Sequence, residues 1–244
     1  MNQWNFDPLE LCVLALAGAL YWRRARTLAL RGRRVPRLRL AAFGAGLLTL
    51  FVALASPVDT IGEERLFSVH MLQHLLLGDL GSLLVVVGLS GSLARPPRAL
   101  QLLAHPLVAL PVWASVLVCW HLTPLYDAAL RHGALHAFQH LTFLLAGTFL
   151  WAAILEPFPG PAWFTTARKL PYVLTMWLVS LTLSQLFLWS GHSYYTGYTL
   201  DDQRAGGGVM LVEGSFVMLG VIVWLLLRVF RESEERQRLL EAPR

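Results

Sequence analysis

Apolar runs long enough to cross a lipid bilayer recur along the whole 244-residue chain. About 20 predominantly apolar residues span the hydrocarbon, with ~17–25 the usual range. A soluble domain of this size buries its core without such runs, so 56% hydrophobic and only 14% charged residues exclude that class. The pattern predicts an all-α fold: a polytopic membrane helix bundle forming a single transmembrane domain over residues 1–244. Seven spans are expected, at Phe6–Trp22, Leu40–Ser56, Phe67–Leu89, Pro106–Trp120, Ala134–Leu155, Leu170–Trp189 and Val209–Phe230. The fourth is short and contains Pro111. Met1 to Glu10 lack a basic segment and carry Asp7 and Glu10, so the first run is expected to stay as a span rather than be cleaved as a signal.

The basic residues orient the bundle, because cytoplasmic loops collect Arg and Lys. Arg23, Arg24, Arg26, Arg31, Arg33, Arg34, Arg37 and Arg39 all lie in the first connection. Placing that loop in the cytoplasm, with the N-terminus outside and the C-terminus inside, also gathers Arg95, Arg98, Arg168, Lys169, Arg228, Arg231, Arg236, Arg238 and Arg244 there. Only Arg65, Arg131 and Arg204 remain outside. Removing one span would reverse every later loop and destroy this partition. The tail from Arg231 to Arg244 mixes Glu and Arg and reads as a short cytoplasmic helix or frayed end. A net charge of +5 suggests no nucleic-acid partner, since the basic residues sit between apolar spans and form no aromatic–basic stripe.

With that topology, His70, His74, His121, His132, His136, His140 and His192 fall at outer ends or outer loops, and His105 alone on the cytoplasmic side. His70 and His74 lie ~5 and ~10 Å below the start of the third span, and His136 and His140 ~3 and ~9 Å below the start of the fifth. Both pairs have HxxxH spacing, which stacks two imidazoles on one helical face. Ionisable side chains inside a membrane face the bundle interior or a cavity. Neutral imidazole binds copper, zinc, iron and nickel, and the thioethers of Met71 or Met210 favour Cu(I).

Other polar residues are ambiguous. Asp79 is nine positions after His70, which on an α-helix turns it to the far side and makes it a poor partner for the pair. Glu213 and His192 read either as supports or ligands of a metal site or as interhelical hydrogen-bonding groups. Cys12 and Cys119 fit a copper-handling thiol pair or inert packing, the latter being commoner. Gly206, Gly207 and Gly208 read as flexibility at a helix entry. No nucleophile–base–acid arrangement and no phosphate-binding glycine loop is present, so an enzyme is not expected.

The chain resembles the bacterial CtaG-type cytochrome c oxidase assembly factors, the polytopic proteins associated with caa-type oxidases. The likeness runs from about Ala55 to Phe230 and rests on three stretches. They are SPVDTIGEERLFSVHMLQHLLL, with His70, Met71, Gln73 and His74; WHLTPLYDAALRHGALHAFQHLTFLLAG, with His121, Tyr126, Asp127, His136 and His140; and TLDDQRAGGGVM, with Asp202, Gln203, Gly207 and Met210. Gln139 stands where that pattern often has an acidic residue. The resemblance implies a bacterial inner-membrane protein that helps assemble the oxidase, with oxidase subunits as partners and copper as cargo taken from a periplasmic donor. Expected metal ligands are His70, His74, His136 and His140, with His121, His192 and Met71 as secondary candidates. A b-type haem protein using His74 and His140 as axial ligands, and a copper permease or resistance protein, are the alternatives.

Overall fold

The computed structural model describes residues 4–89, 93 and 97–241. Arg95 and Arg244, both used above to orient the chain, lie outside the described residues, as do Met1 to Gln3. Among the described residues the structure is helical and without strands. Helix α1 is Pro8–Leu30 and α2 is Arg37–Ala55, followed by a short α3, Pro57–Glu64. Next come α4 (Phe67–Leu75), a π turn (Leu76–Gly81) and α5 (Ser82–Leu89), consecutive along one span. A short α6 (Arg98–Leu103) leads into α7 (Pro106–Trp120), α8 (Thr123–Arg131), α9 (Gly133–Leu155), α10 (Thr166–Leu188) and α11 (Leu200–Glu241).

Among the described residues, five helical stretches are long and apolar enough to cross a membrane: α2, the α4–α5 span, α9, α10 and α11. The α7–α8 pair, bent by 73°, makes a sixth if it counts as one span. The bounds expected for the third and fourth spans coincide with Phe67–Leu89 and with α7. Helix α7 alone has 15 residues and reaches only ~22 Å. Helix α1 carries the first expected span but runs on through the Arg23–Arg26 cluster to Leu30, and it is not among the five. The charged tail is not a separate piece: α11 continues through it to Glu241.

Apolar side chains such as Leu48, Leu107, Leu178, Phe216 and Val223 face outward, whereas His70, Gln73, His74, His136, Gln139 and His140 are buried. Apolar outside and polar at one place inside is the arrangement a lipid solvent imposes. The chain is a multi-pass membrane protein.

Three local devices position the histidine end. Leu66 offers α4 no side-chain cap, and Asp202, from the first turn of α11, supplies one instead. Its carboxylate accepts from the Phe67 amide at 2.5 Å, the Ser68 amide at 3.3 Å and the Ser68 hydroxyl at 2.6 Å. This satisfies donors that a helix start leaves open and ties two distant segments together. The second device is the π turn. Ser82 donates its hydroxyl to Leu77 O at 2.7 Å and to Leu144 O at 3.1 Å, pinning the irregular turn to α9.

The third device is a backbone crossing. A Cβ placed on Gly147 of α9 would lie 1.9 Å from the Gly78 carbonyl oxygen, so only glycine lets the two backbones touch there. Gly206 and Gly207 also mark close approaches, to the Phe67 ring and to α10, while Gly208 faces open space. These glycines lie inside α11 rather than at a helix entry: the helix already begins at Leu200, and what the first two supply is packing distance, not flexibility. Gly147→Ala is expected to destabilise the fold by at least about 1–3 kcal/mol, the usual cost of overpacking. Gly208→Ala should leave it unchanged or firmer. Thermal unfolding of the two variants in the same detergent tests this, and equal midpoints would refute the crossing.

Candidate metal centre

Helices α4 and α9 bring both HxxxH pairs into one buried cluster. His70 and His74 of α4 are 0% and 5% exposed, and their Nε2 atoms lie 2.9 Å apart, within hydrogen-bond distance of each other. His136 and His140 of α9 have ring centroids 4.0 Å apart. Across the helices, His70 lies 5.3 Å from His136 and His74 lies 6.0 Å from His140, centroid to centroid. The equal depths read from the sequence therefore do place the pairs side by side. His121, at the end of α7, joins from the other flank with its centroid 6.0 Å from His74.

Other expected residues divide clearly. Met71 is buried, and its Sδ sits 3.3 Å from His121 Nε2. His192 is exposed and its ring rests on Tyr194, not on another imidazole. His105 and His132 occupy the N-cap positions of α7 and α9 and stay out of the cluster. Cys12 and Cys119 are both exposed and form no disulfide. Gln139 is buried, with neither end of its amide hydrogen-bonded.

Asp79 requires a correction. Asp79 lies inside the π turn, whose wider turns hold more residues than an α-helical turn, so the α-helical phase that set it on the opposite face does not hold through Leu76–Gly81. Asp79 instead lines the same cavity as His74 and His121. Glu213 of α11 lies close enough to Asp79 for their charges to interact, and neither of its oxygens is hydrogen-bonded.

The most consequential residue absent from the expected ligands is Asp59 of α3. One carboxylate oxygen of Asp59 and one ring nitrogen each of His136 and His140 lie within 4.8 Å of one another, all three residues buried. Asp59 is held from two sides: Asn5 Nδ2 donates to Oδ2 at 2.8 Å, and Gln73 Nε2 donates to Oδ1 at 2.6 Å while also reaching Ala53 O at 2.9 Å. Burial raises the Asp59 carboxyl above its ordinary value, opposed by the hydrogen bond from Asn5. His136 Nδ1 pairs with the Glu63 carboxylate, which leaves Nε2 buried and without a partner, as is His140 Nε2. A carboxylate fixing one ring nitrogen while the other points at a shared space is the usual support of a metal-bound histidine. The one sequence signal for Asp59 was an acidic residue just ahead of a histidine-bearing span; only α3 folding back over α4 turns it toward α9. That return is close: a Cβ on Gly62 would lie 3.0 Å from the His70 amide nitrogen.

Aromatic rings close the remaining sides. Tyr126 of α8 packs on His70 at 5.1 Å and stacks on Tyr195 at 4.0 Å. Tyr195 and Tyr198 donate their hydroxyls to His121 O at 2.7 Å and Gly62 O at 2.8 Å, lacing the segment before α11 over the cluster. Phe143 stacks on His74 at 4.4 Å. The cavity touching His74 measures about 40 Å³, against the several hundred Å³ of a cofactor pocket, so the arrangement suits a small ion rather than a porphyrin. Asp59→Ala is expected to cost about 1–3 kcal/mol by stranding the Asn5 and Gln73 donors, with Asp59→Asn losing less because it keeps an acceptor. Thermal unfolding compares the two, and a wild-type midpoint for Asp59→Ala would contradict these contacts.

The model of the cytochrome c oxidase caa3 assembly factor family matches residues 19–232. Among individual proteins, uncharacterized proteins of Mycobacterium bovis and Mycobacterium tuberculosis are each 26% identical over 272 residues, covering 96% of this chain. An uncharacterized protein of Mycobacterium leprae is 28% identical over 277 residues, covering 94% of this chain. The chain spans 40% of the length of these relatives. No solved structure matches it. The family match covers most of the chain, including α3 and every helix that contributes to the histidine cluster, and the chain belongs to the cytochrome c oxidase caa3 assembly factor family.

Proposed function

We propose that this protein holds copper at the histidine cluster and passes it to cytochrome c oxidase subunits during their maturation. The observation that carries this reading is the convergence of Asp59, His136 and His140 on one buried point, beside the His70–His74 pair. Bare, buried nitrogens, one of them on a ring braced by the Glu63 carboxylate, are expensive in a membrane interior unless something fills the space between them. Imidazole and carboxylate donors fit a divalent copper, cobalt or zinc ion. His70, His74, His136, His140 and Asp59 would hold the ion, and Glu63 would orient His136. The work is ligand exchange rather than turnover, so the protein is a carrier and not an enzyme.

The orientation that serves this role has seven spans, an outer N-terminus and a cytoplasmic C-terminus in a bacterial plasma membrane. The Arg partition supports it, and it puts the cluster on the side where a periplasmic copper donor and the oxidase copper centres can reach it. A reporter enzyme active only in the cytoplasm should be active when fused after Glu241 and silent when fused before Asn5. The reverse pattern would overturn the orientation.

A strain lacking this protein should assemble oxidase of reduced copper content, restored by the wild-type gene but not by His136→Ala/His140→Ala. Normal copper content in the deletion strain would remove the delivery role. Purified wild-type protein should bind Cu(II), and Glu63→Gln should weaken that binding about 10–100-fold with every ligand still present. Unchanged affinity would remove Glu63 from the site.

A further inference from the structure

On the far side of His74 from His136 and His140 lies a second group of donors with different chemistry. His121 Nδ1 lies 2.7 Å from Leu117 O, and because a carbonyl can only accept, this nitrogen carries the proton. In the neutral ring Nε2 is then a bare lone pair, facing the Met71 sulfur at 3.3 Å. Neither atom has a hydrogen to offer the other, so the contact is not an ordinary hydrogen bond. The spacing instead matches a chelate. Metal–nitrogen and metal–sulfur bonds of about 2.0 and 2.3 Å set the two donors roughly 3.3–3.6 Å apart at a tetrahedral ion.

The surroundings fit a cation. Met71 and His121 line the cavity of about 40 Å³, together with His74, Asp79 and the second thioether, Met210. Such a space exceeds the roughly 10–15 Å³ one water requires, so it can admit an ion with little other company. His74 Nδ1 is buried and without a partner. The Asp79 carboxyl group lines the same cavity and, on giving up its proton, would balance the charge of an ion there. Thioether and imidazole donors select soft monovalent ions, whereas Asp59 with His136 and His140 suits a divalent one. Among the described residues no ring contact joins His121 to His136 or His140; its ring neighbours are His74, Phe143 and Phe187.

We propose a second ion position for a soft monovalent cation, formed by Met71 Sδ and His121 Nε2 beside His74, separate from the Asp59–His136–His140 position. It deepens the copper reading and rests on that reading for its natural cargo. His74, 6.0 Å from both His121 and His140, stands between the two positions.

The full chain carrying Cys12→Ser and Cys119→Ser, since those exposed thiols would themselves bind silver, is purified in detergent and chloride-free nitrate buffer and titrated with Ag(I) as the soft probe and with Co(II) as the divalent one. This parent chain should bind both together, with sulfur and nitrogen around silver in its X-ray absorption spectrum. Met71→Leu, which conserves volume, should lose the sulfur signal and weaken Ag(I) by at least roughly tenfold, the lower end of what even a lost supporting contact costs a metal site. Its Co(II) absorption should be unchanged. His121→Gln should likewise weaken Ag(I) alone, and Asp59→Asn should weaken Co(II) alone; unfolding midpoints near wild type establish that each variant is folded. Sulfur-ligated silver persisting in Met71→Leu, or Ag(I) displacing Co(II) one for one, would overturn the second position. Co(II) binding without any Ag(I) binding sinks this inference and leaves the copper reading standing. Two occupied positions with normal oxidase copper in the deletion strain sink the delivery reading and leave the two positions standing.

Discussion

The backbone contact between Gly78 and Gly147 sets the distance from which the rest of the histidine end follows. Two helices that each carry an HxxxH pair must approach closely for short imidazoles to touch across the gap, and larger side chains at the crossing would hold them apart. The π turn beneath the first pair puts the Gly78 carbonyl against Gly147 of α9. Ser82 secures the irregular turn from below, and the Asp202 cap fixes the start of α4 from above. The site is thus held in part by glycine packing and side-chain-to-backbone hydrogen bonds outside it.

Economy of polar groups explains the shape of the cluster. A membrane interior supplies no water to satisfy a stray donor, so each buried polar atom needs a partner from the protein. Gln73 obeys the rule at one end only: its amide nitrogen bridges Ala53 O and Asp59, while its amide oxygen is buried without a partner. His121 and His136 obey it at one nitrogen and break it at the other, and His140 leaves Nε2 bare. These bare nitrogens belong to rings grouped around His74, where an ion can sit, and Tyr126, Tyr195 and Phe143 pack over the group.

Much of this was legible in the order of residues. Membrane-length apolar runs determine a helical fold by themselves, because a backbone in lipid must satisfy its own hydrogen bonds. The α4–α5 span and α7 begin and end where the runs do. The two HxxxH pairs, their faces and their equal depths follow from a 3.6-residue period and a 1.5 Å rise. His121 and Met71 could be named from their position near the same level.

What only the tertiary structure decided depends on contacts between segments far apart in the chain. Asp59 becomes a donor because α3 turns back across Gly62, a reversal no periodicity announces. Asp79 joins the cavity because a π turn breaks the helical phase on which its exclusion rested. His192, equally plausible by level, ends outside because the segment before α11 turns its ring toward Tyr194. Residue types and helical period determine which side chains reach one end of the bundle. Which of them share a point is settled by backbone crossings and irregular turns, whose energy comes from long-range packing rather than local sequence.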